Sequence, residues 1–150
     1  MKTIIITGTP CTGKTTYARR LARQKGYLYV DVNRIIEKYK LSEGYDRKRR
    51  TKIIDTKKLN NVLVKLIQEQ KENKQKGIII DSHLSHYLPR KYVDLCIVTK
   101  CSLKELKKRL EKRGYTKSKV QENLEAEIFD ICLEEAKELG HKIKVVDTSK

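Results

Sequence analysis

Residues Gly8 to Thr15 read GTPCTGKT, a full match to the pattern G-x-x-x-x-G-K-[ST], set directly after the apolar run Ile4-Ile5-Ile6 and directly before a helical pattern. A phosphate chain carries several negative charges that lose water on binding, so its site needs convergent backbone N–H donors, a lysine and a hydroxyl that holds a metal. Gly8, Gly13, Lys14 and Thr15 supply them. A short β-branched apolar run suits a strand buried on both faces of a parallel sheet. After the loop, Ala18, Leu21, Ala22 and Lys25 recur at helical spacing with no proline among them. A helix starting there points its free N–H groups and positive dipole end at the phosphates. The alternative, a glycine turn with no ligand, does not require this strand, loop and helix order.

The rest of the chain alternates strands and helices. Tyr27-Leu28-Tyr29-Val30 follows the Gly26 break as a second strand, and Gly77 to Asp81, Val93 to Val98 and Ile143 to Val146 make three more. Asp55 is placed to cap a long helix through Leu59, Val62, Leu63, Leu66 and Ile67, running to about Gln75. Ser102-Leu103-Lys104-Glu105 has the capping-box pattern and opens a helix that Gly114 breaks. Val120, Leu124, Ile128, Ile131, Ala136 and Leu139 trace one further amphipathic helix. The polar stretch from Asp31 to Lys52 reads as an irregularly helical insert more than a sheet element. This order predicts an α/β fold, a five-stranded, mostly parallel sheet covered by helices on both faces with right-handed crossovers.

A chain of 150 residues suits a single domain. No apolar run approaches a membrane span, and the N-terminus enters strand-like sequence without a signal peptide's pattern, so a cytoplasmic protein with no membrane partner is expected. Cys11, Cys96, Cys101 and Cys132 lack the spacing of a zinc site. Cys96 and Cys132 read as buried reduced thiols. Cys11 lies inside the loop, either as a small side chain that fits there or as a reactive thiol whose pKa is depressed by Lys14 and the loop N–H groups. The formal net charge of +16 favours polyanionic partners. It is concentrated at Arg47, Lys48, Arg49, Arg50 and Lys52 and again at Lys104, Lys107, Lys108, Arg109, Lys112 and Arg113. Each cluster is read either as a nucleic-acid footprint or as a solvated lysine-rich surface.

In an open parallel sheet, ligands bind beyond the carboxyl ends of the strands. Asp81 ends an apolar strand and is placed to orient Mg²⁺ beside Thr15. His83 follows two residues later, on the same face if the strand continues, where it would position water or a hydroxyl near the γ-phosphate. His86 is assigned no role. Arg109 and Arg113 are four residues apart and share a helix face. A guanidinium fork suits the spread charge of a transferring phosphoryl group, and Arg113 beside Gly114 suits a lid that closes over nucleotide.

GTPCTGKTT at Gly8 to Thr16, EGYD at Glu43 to Asp46, IDSH at Ile80 to His83, RLEKRGY at Arg109 to Tyr115 and EIF at Glu127 to Phe129 together resemble the adenylate-kinase-like ATPases of small-ribosomal-subunit maturation. The resemblance implies a P-loop nucleoside monophosphate kinase fold in one domain over residues 1–150. A monophosphate-binding segment would lie near residues 31–54 and a short lid near 112–122. It implies ATP contacts at Cys11, Gly13, Lys14, Thr15, Thr16 and Arg113, with Lys150 ending an adenine-side loop. Lys14, Asp81, His83 and Arg113 would be catalytic, and Thr15 and Asp81 would hold Mg²⁺. Expected activities are ATP-dependent phosphorylation of a nucleoside monophosphate and ATP hydrolysis. Expected partners are platform protein eleven of the small ribosomal subunit and rRNA.

Three departures from the family pattern stand out. Cys11 occupies a position usually glycine, which is acceptable if no positive φ is needed there. Arg34 and Glu37 reverse the family's acidic and basic order. Family members usually add a final helix after the position of Lys150.

Overall fold

The computed structural model describes residues 1–46 and 51–149, with the backbone alone at 45, 46, 51 and 52. The basic run at Arg47, Lys48, Arg49 and Arg50, the Lys52 side chain and Lys150 lie outside the described residues. The chain opens with β1 (Lys2–Thr7) and α1 (Lys14–Lys25), then β2 (Leu28–Asp31) and a short α2 (Val32–Lys38). Next come β3 (Ser42–Asp46), β4 (Thr51–Ile54), α3 (Thr56–Glu72) and β5 (Gly77–Asp81). Two single 3-10 turns lead to β6 (Leu95–Lys100), followed by α4 (Leu103–Lys112), α5 (Lys117–Ile128), α6 (Ile131–Glu138) and β7 (Ile143–Asp147).

The main sheet is five-stranded and wholly parallel, in the order β2-β5-β1-β6-β7. Ile5 pairs in register with Ile80 on one side and Cys96 on the other, which puts β1 at the centre. Ile5, Ile6, Ile78, Ile79 and Ile80 are fully buried, as expected where helices cover both faces. On one face Ile5, Ile78, Ile80 and Val98 pack with Leu59, Leu63 and Ile67 of α3 and Ala136 of α6. On the other, Ile4, Ile6, Ile79 and Ile97 pack with Ala18 and Ala22 of α1. Each fully buried Ile or Leu contributes about 1.5–3 kcal/mol relative to an exposed one. The α/β fold class and its helix-covered parallel sheet are therefore as expected.

Local rules set several boundaries differently. The stretch from Ser42 contains an antiparallel hairpin of β3 and β4, a separate two-stranded sheet with an irregular register between Ser42 and Gly44. This differs from the irregularly helical insert expected, because the stretch has too few apolar residues to show an alternating face; Ile53 is half exposed while Ile54 packs inward. The expected single helix through Leu139 is two, because Asp130 adopts φ 51° and turns the chain between α5 and α6. Helix α3 stops at Glu72, before the positive φ at Lys74, not near Gln75. The fourth strand starts at Leu95, since the Asp94 carboxylate takes the Thr3 N–H at 2.7 Å. Only half of the capping box forms: Ser102 Oγ accepts from Glu105 N, while the Glu105 carboxylate pairs with Arg109.

Candidate active site

From β1 the chain passes left to β2 and back to β5 before it crosses to β6, so β1 and β5 flank the crevice at the carboxyl edge of the sheet. The loop after β1 is held by its own side chains. Gly8 has φ 151°, and a Cβ there would lie 2.5 Å from Thr99 Oγ1 and 2.7 Å from Thr99 O, so only hydrogen fits. Thr12 Oγ1 donates to Thr9 O at 2.6 Å, and Thr148 Oγ1 donates to Thr12 O at 2.5 Å, which pins the loop to the end of β7. Gly13, at φ 80°, leads into α1. Cys11 has φ 69°, so the condition set for its acceptance, a backbone with no positive φ, is not met. A non-glycine residue held there stores backbone strain of about 1–2 kcal/mol.

Lys14 folds back over this arch, donating from Nζ to Gly8 O at 3.0 Å and Thr9 O at 3.1 Å. Burial lowers its pKa, and the negative charge of Asp81 works against that shift. Thr15 Oγ1 donates to Asp81 Oδ2 at 2.8 Å, and so does the Tyr29 hydroxyl. Burial, then the Asp81 bond, push the Tyr29 phenol up to about 12, so it stays a donor. Thr15 and Asp81 present hard oxygen atoms at the foot of the loop, the donor type that suits Mg²⁺.

The expected extension of β5 to His83 does not occur, because the strand ends at Asp81 and the chain turns. His83 still lines the crevice. Crowding by the protein atoms around this partly open site, with the Lys14 charge next, pushes its pKa down to about 4. The ring is therefore neutral near pH 7. His86 is buried, with Nδ1 2.7 Å from Thr7 Oγ1 and Nε2 3.5 Å from Glu135, a structural position.

Two cavities meet at the loop. The smaller, about 310 Å³, is lined by Lys14, Thr15, Asp81, His83, Arg113 and Lys119 among others. The larger, about 740 Å³, runs between α1 and α4 past Thr16, Arg20, Arg109, Lys112, Arg113 and Thr148. Cys11, Gly13, Thr16 and Arg113 line both. The loop residues, Asp81, His83 and Arg113 thus come together. Arg109 is committed elsewhere, donating to Thr148 O at 2.6 Å and pairing with Glu105.

Sequence reasoning missed Tyr29, Lys119, Arg20 and Thr148. Lys119 lies within the segment 112–122 expected as a lid and Thr148 within the adenine-side stretch ending at Lys150, while Tyr29 and Arg20 carry no signal in the sequence. The Cys96 thiol is buried and pushed up to about 12; Cys132 is half-buried and also shifted upward by burial.

Residues 4–130 match the family described as AAA domain. The adenylate kinase isoenzyme 6 homolog of Schizosaccharomyces pombe is 39% identical over 136 residues, covering 90% of this chain and 74% of that protein. The protein of the same name from Caenorhabditis elegans is 32% identical over 135 residues, covering 90% of this chain and 72% of its own length. Among solved structures, shikimate kinase from Acinetobacter baumannii superposes with a TM-score of 0.67 at 14% identity, over 100% of this chain and 85% of that one, a likeness of fold. The loop, the parallel sheet behind it and these relatives agree: the chain belongs to the AAA-domain family, among its adenylate-kinase-like members.

Proposed function

We propose that this protein is a nucleoside monophosphate kinase of the adenylate kinase type, which moves the γ-phosphoryl group of ATP to a nucleoside monophosphate and also hydrolyses ATP. The observation that carries this reading is the joining of Thr15 and Asp81 by one hydrogen bond at the foot of the phosphate loop, in the wall of the smaller of two cavities that share Arg113. The names of its relatives support it. Phosphoryl transfer needs little covalent chemistry from a protein and depends on positioning and charge neutralisation.

Each residue then has a task. The Gly8 to Thr15 backbone cradles the phosphates, and Lys14 exchanges Gly8 O and Thr9 O for phosphate oxygens. Thr15 and Asp81 would hold Mg²⁺, which would supply positive charge against the phosphates. Arg113, from the segment 112–122 taken as a lid, meets charge developing on the transferred group, with Lys119 beside it. Neutral His83 accepts a hydrogen bond from the attacking group or from a water held there. Cys11 and Thr16 lie against the nucleotide, whose base occupies the larger cavity toward Thr148. The monophosphate enters the smaller cavity, where Asp31 and Asn33 of the segment 31–54 face it. A coupled assay for ADP formation with AMP, CMP, UMP and GMP tests the reading: Mg-dependent transfer to at least one is expected, and none overturns it.

A second reading is favoured by charge. Lys104, Lys107, Lys108 and Lys112 are exposed on α4, whose end lines the larger cavity, in a chain of net charge +16. This suits a cytoplasmic role in small-ribosomal-subunit maturation and rRNA processing, with platform protein eleven as partner and nucleotide state setting the affinity. Equal affinity for that protein in the ATP, ADP and empty states would exclude the switch.

A further inference from the structure

Glu127 on α5 is 6% exposed, far from the surface on which a carboxylate is usually found. Its Oε1 accepts from Thr9 Oγ1 at 3.0 Å and from Lys100 Nζ at 2.7 Å, and its Oε2 accepts from the Cys101 N–H at 2.8 Å. Lys100 Nζ also donates to Glu127 O at 2.9 Å and pairs with Asp130. A buried ion pair is a poor way merely to join a helix to a sheet, since an apolar pair of similar size often does so at least as well. What the carboxylate adds is a fixed direction, and that direction ends on the phosphate loop.

Thr9 is the hub of the loop. Its carbonyl accepts from Thr12 N at 3.2 Å, Thr12 Oγ1 at 2.6 Å and Lys14 Nζ at 3.1 Å, so whatever fixes Thr9 also fixes the arch and the resting place of Lys14. The helix that carries Glu127 near its end also carries Lys119 at the smaller cavity, about 12 Å earlier along its axis at 1.5 Å per residue. One helix thus touches the phosphate loop at Thr9 and lines the smaller cavity with Lys119.

We propose that Glu127 is a positioning residue for nucleotide binding: it holds the phosphate loop through Thr9, while Lys100 cancels its charge so that the loop keeps its attraction for phosphate. The proposal rests on the phosphate-binding reading of the loop given above.

The test uses the full chain with Thr9→Val, Thr9→Ser, Glu127→Gln and the double variant Thr9→Val/Glu127→Gln. Three quantities are measured: the dissociation constant of a fluorescent ADP analogue with Mg²⁺, kcat and KM for ATP, and the melting temperature. Thr9→Val removes the hydroxyl but leaves Lys100 and Cys101 N on the carboxylate, so melting should move by only a few degrees. The analogue should bind roughly tenfold more weakly, the scale of one charge-assisted hydrogen bond, with KM rising in step. Thr9→Ser should restore binding to within roughly twofold, and the double variant should be no worse than its weaker parent, because the two residues act as one unit. Unchanged analogue binding in Thr9→Val, or losses that simply add in the double variant, would overturn the proposal. If the parent protein binds the analogue yet phosphorylates no monophosphate, the kinase reading fails, while the binding measurements still decide the role of Glu127.

Discussion

Replacing Cys11 isolates the strain in the phosphate loop. At φ 69° an L-residue meets its own following carbonyl oxygen, which costs about 1–2 kcal/mol. Cys11→Gly removes that term but gives the unfolded chain more freedom, worth roughly 0.5–1 kcal/mol in the opposite sense. It also gives up the contact of a half-buried thiol with the Cys101, Leu106 and Leu110 cluster. The three nearly cancel, so the glycine variant should stay within about 1 kcal/mol of the parent. Cys11→Val has the opposite fate, since a β-branched side chain at positive φ is a far worse fit. A gap of about 2 kcal/mol between the two variants corresponds to roughly 4–8 °C in melting temperature for a domain of this length. Thermal unfolding followed by far-ultraviolet circular dichroism measures it directly, and the same samples with Mg-ADP report on the loop. Equal melting temperatures for the glycine and valine variants would refute the reasoning.

Gly8→Ala should abolish nucleotide binding by forcing the loop off Thr99, measured by titration with labelled ADP; retained affinity would mean the loop can shift at little cost. Asp81→Asn keeps an acceptor for Thr15 and Tyr29 but loses the charge, so ATP turnover should fall by at least about 100-fold at saturating Mg²⁺ in the coupled assay. His83 and His86 both have pKa values lowered on folding, His83 from 6.5 to about 4, so between those values the unfolded chain binds more protons. Stability should be complete above pH 6.5 and decline as the pH falls toward 4. His83→Gln should flatten part of that decline in melting curves at pH 5 and pH 7. Cys11 lines both cavities, so a thiol-alkylating reagent should block turnover and ATP should protect; undiminished activity after full alkylation would count against a loop thiol in the nucleotide path.

What the sequence made legible follows from how local each signal is. The phosphate loop declares itself because its glycines, lysine and threonine are contiguous, and the buried strands because a doubly covered strand is apolar throughout, as at Ile78 to Ile80. Asp81 was readable as the polar end of such a run. The β3 and β4 hairpin was not, since a two-stranded ribbon with little buried area need show no period. The break at Asp130 hides inside a continuous helical period, because the residue that turns the chain is polar on either reading. Thr148 reaches the loop only through β7, an element distant in sequence from it, and Tyr29 reads as one more aromatic in a strand until the fold sets it beside Asp81. Glu127 looks like any surface glutamate until the fold surrounds it.

The self-bonded state of Lys14 bears on how the site meets its first phosphate. With Nζ resting on two carbonyl oxygens of its own loop, two of the three N–H donors of the cation are already engaged. Entry of a nucleotide is then an exchange of acceptors within one small shell, and a ligand displaces the two carbonyls from Lys14 only by offering better oxygens in the same place. Simple inorganic anions, with fewer oxygens to span the arch, should compete poorly, which would let a strongly basic protein work among abundant phosphate and nucleic acid without its site being blocked.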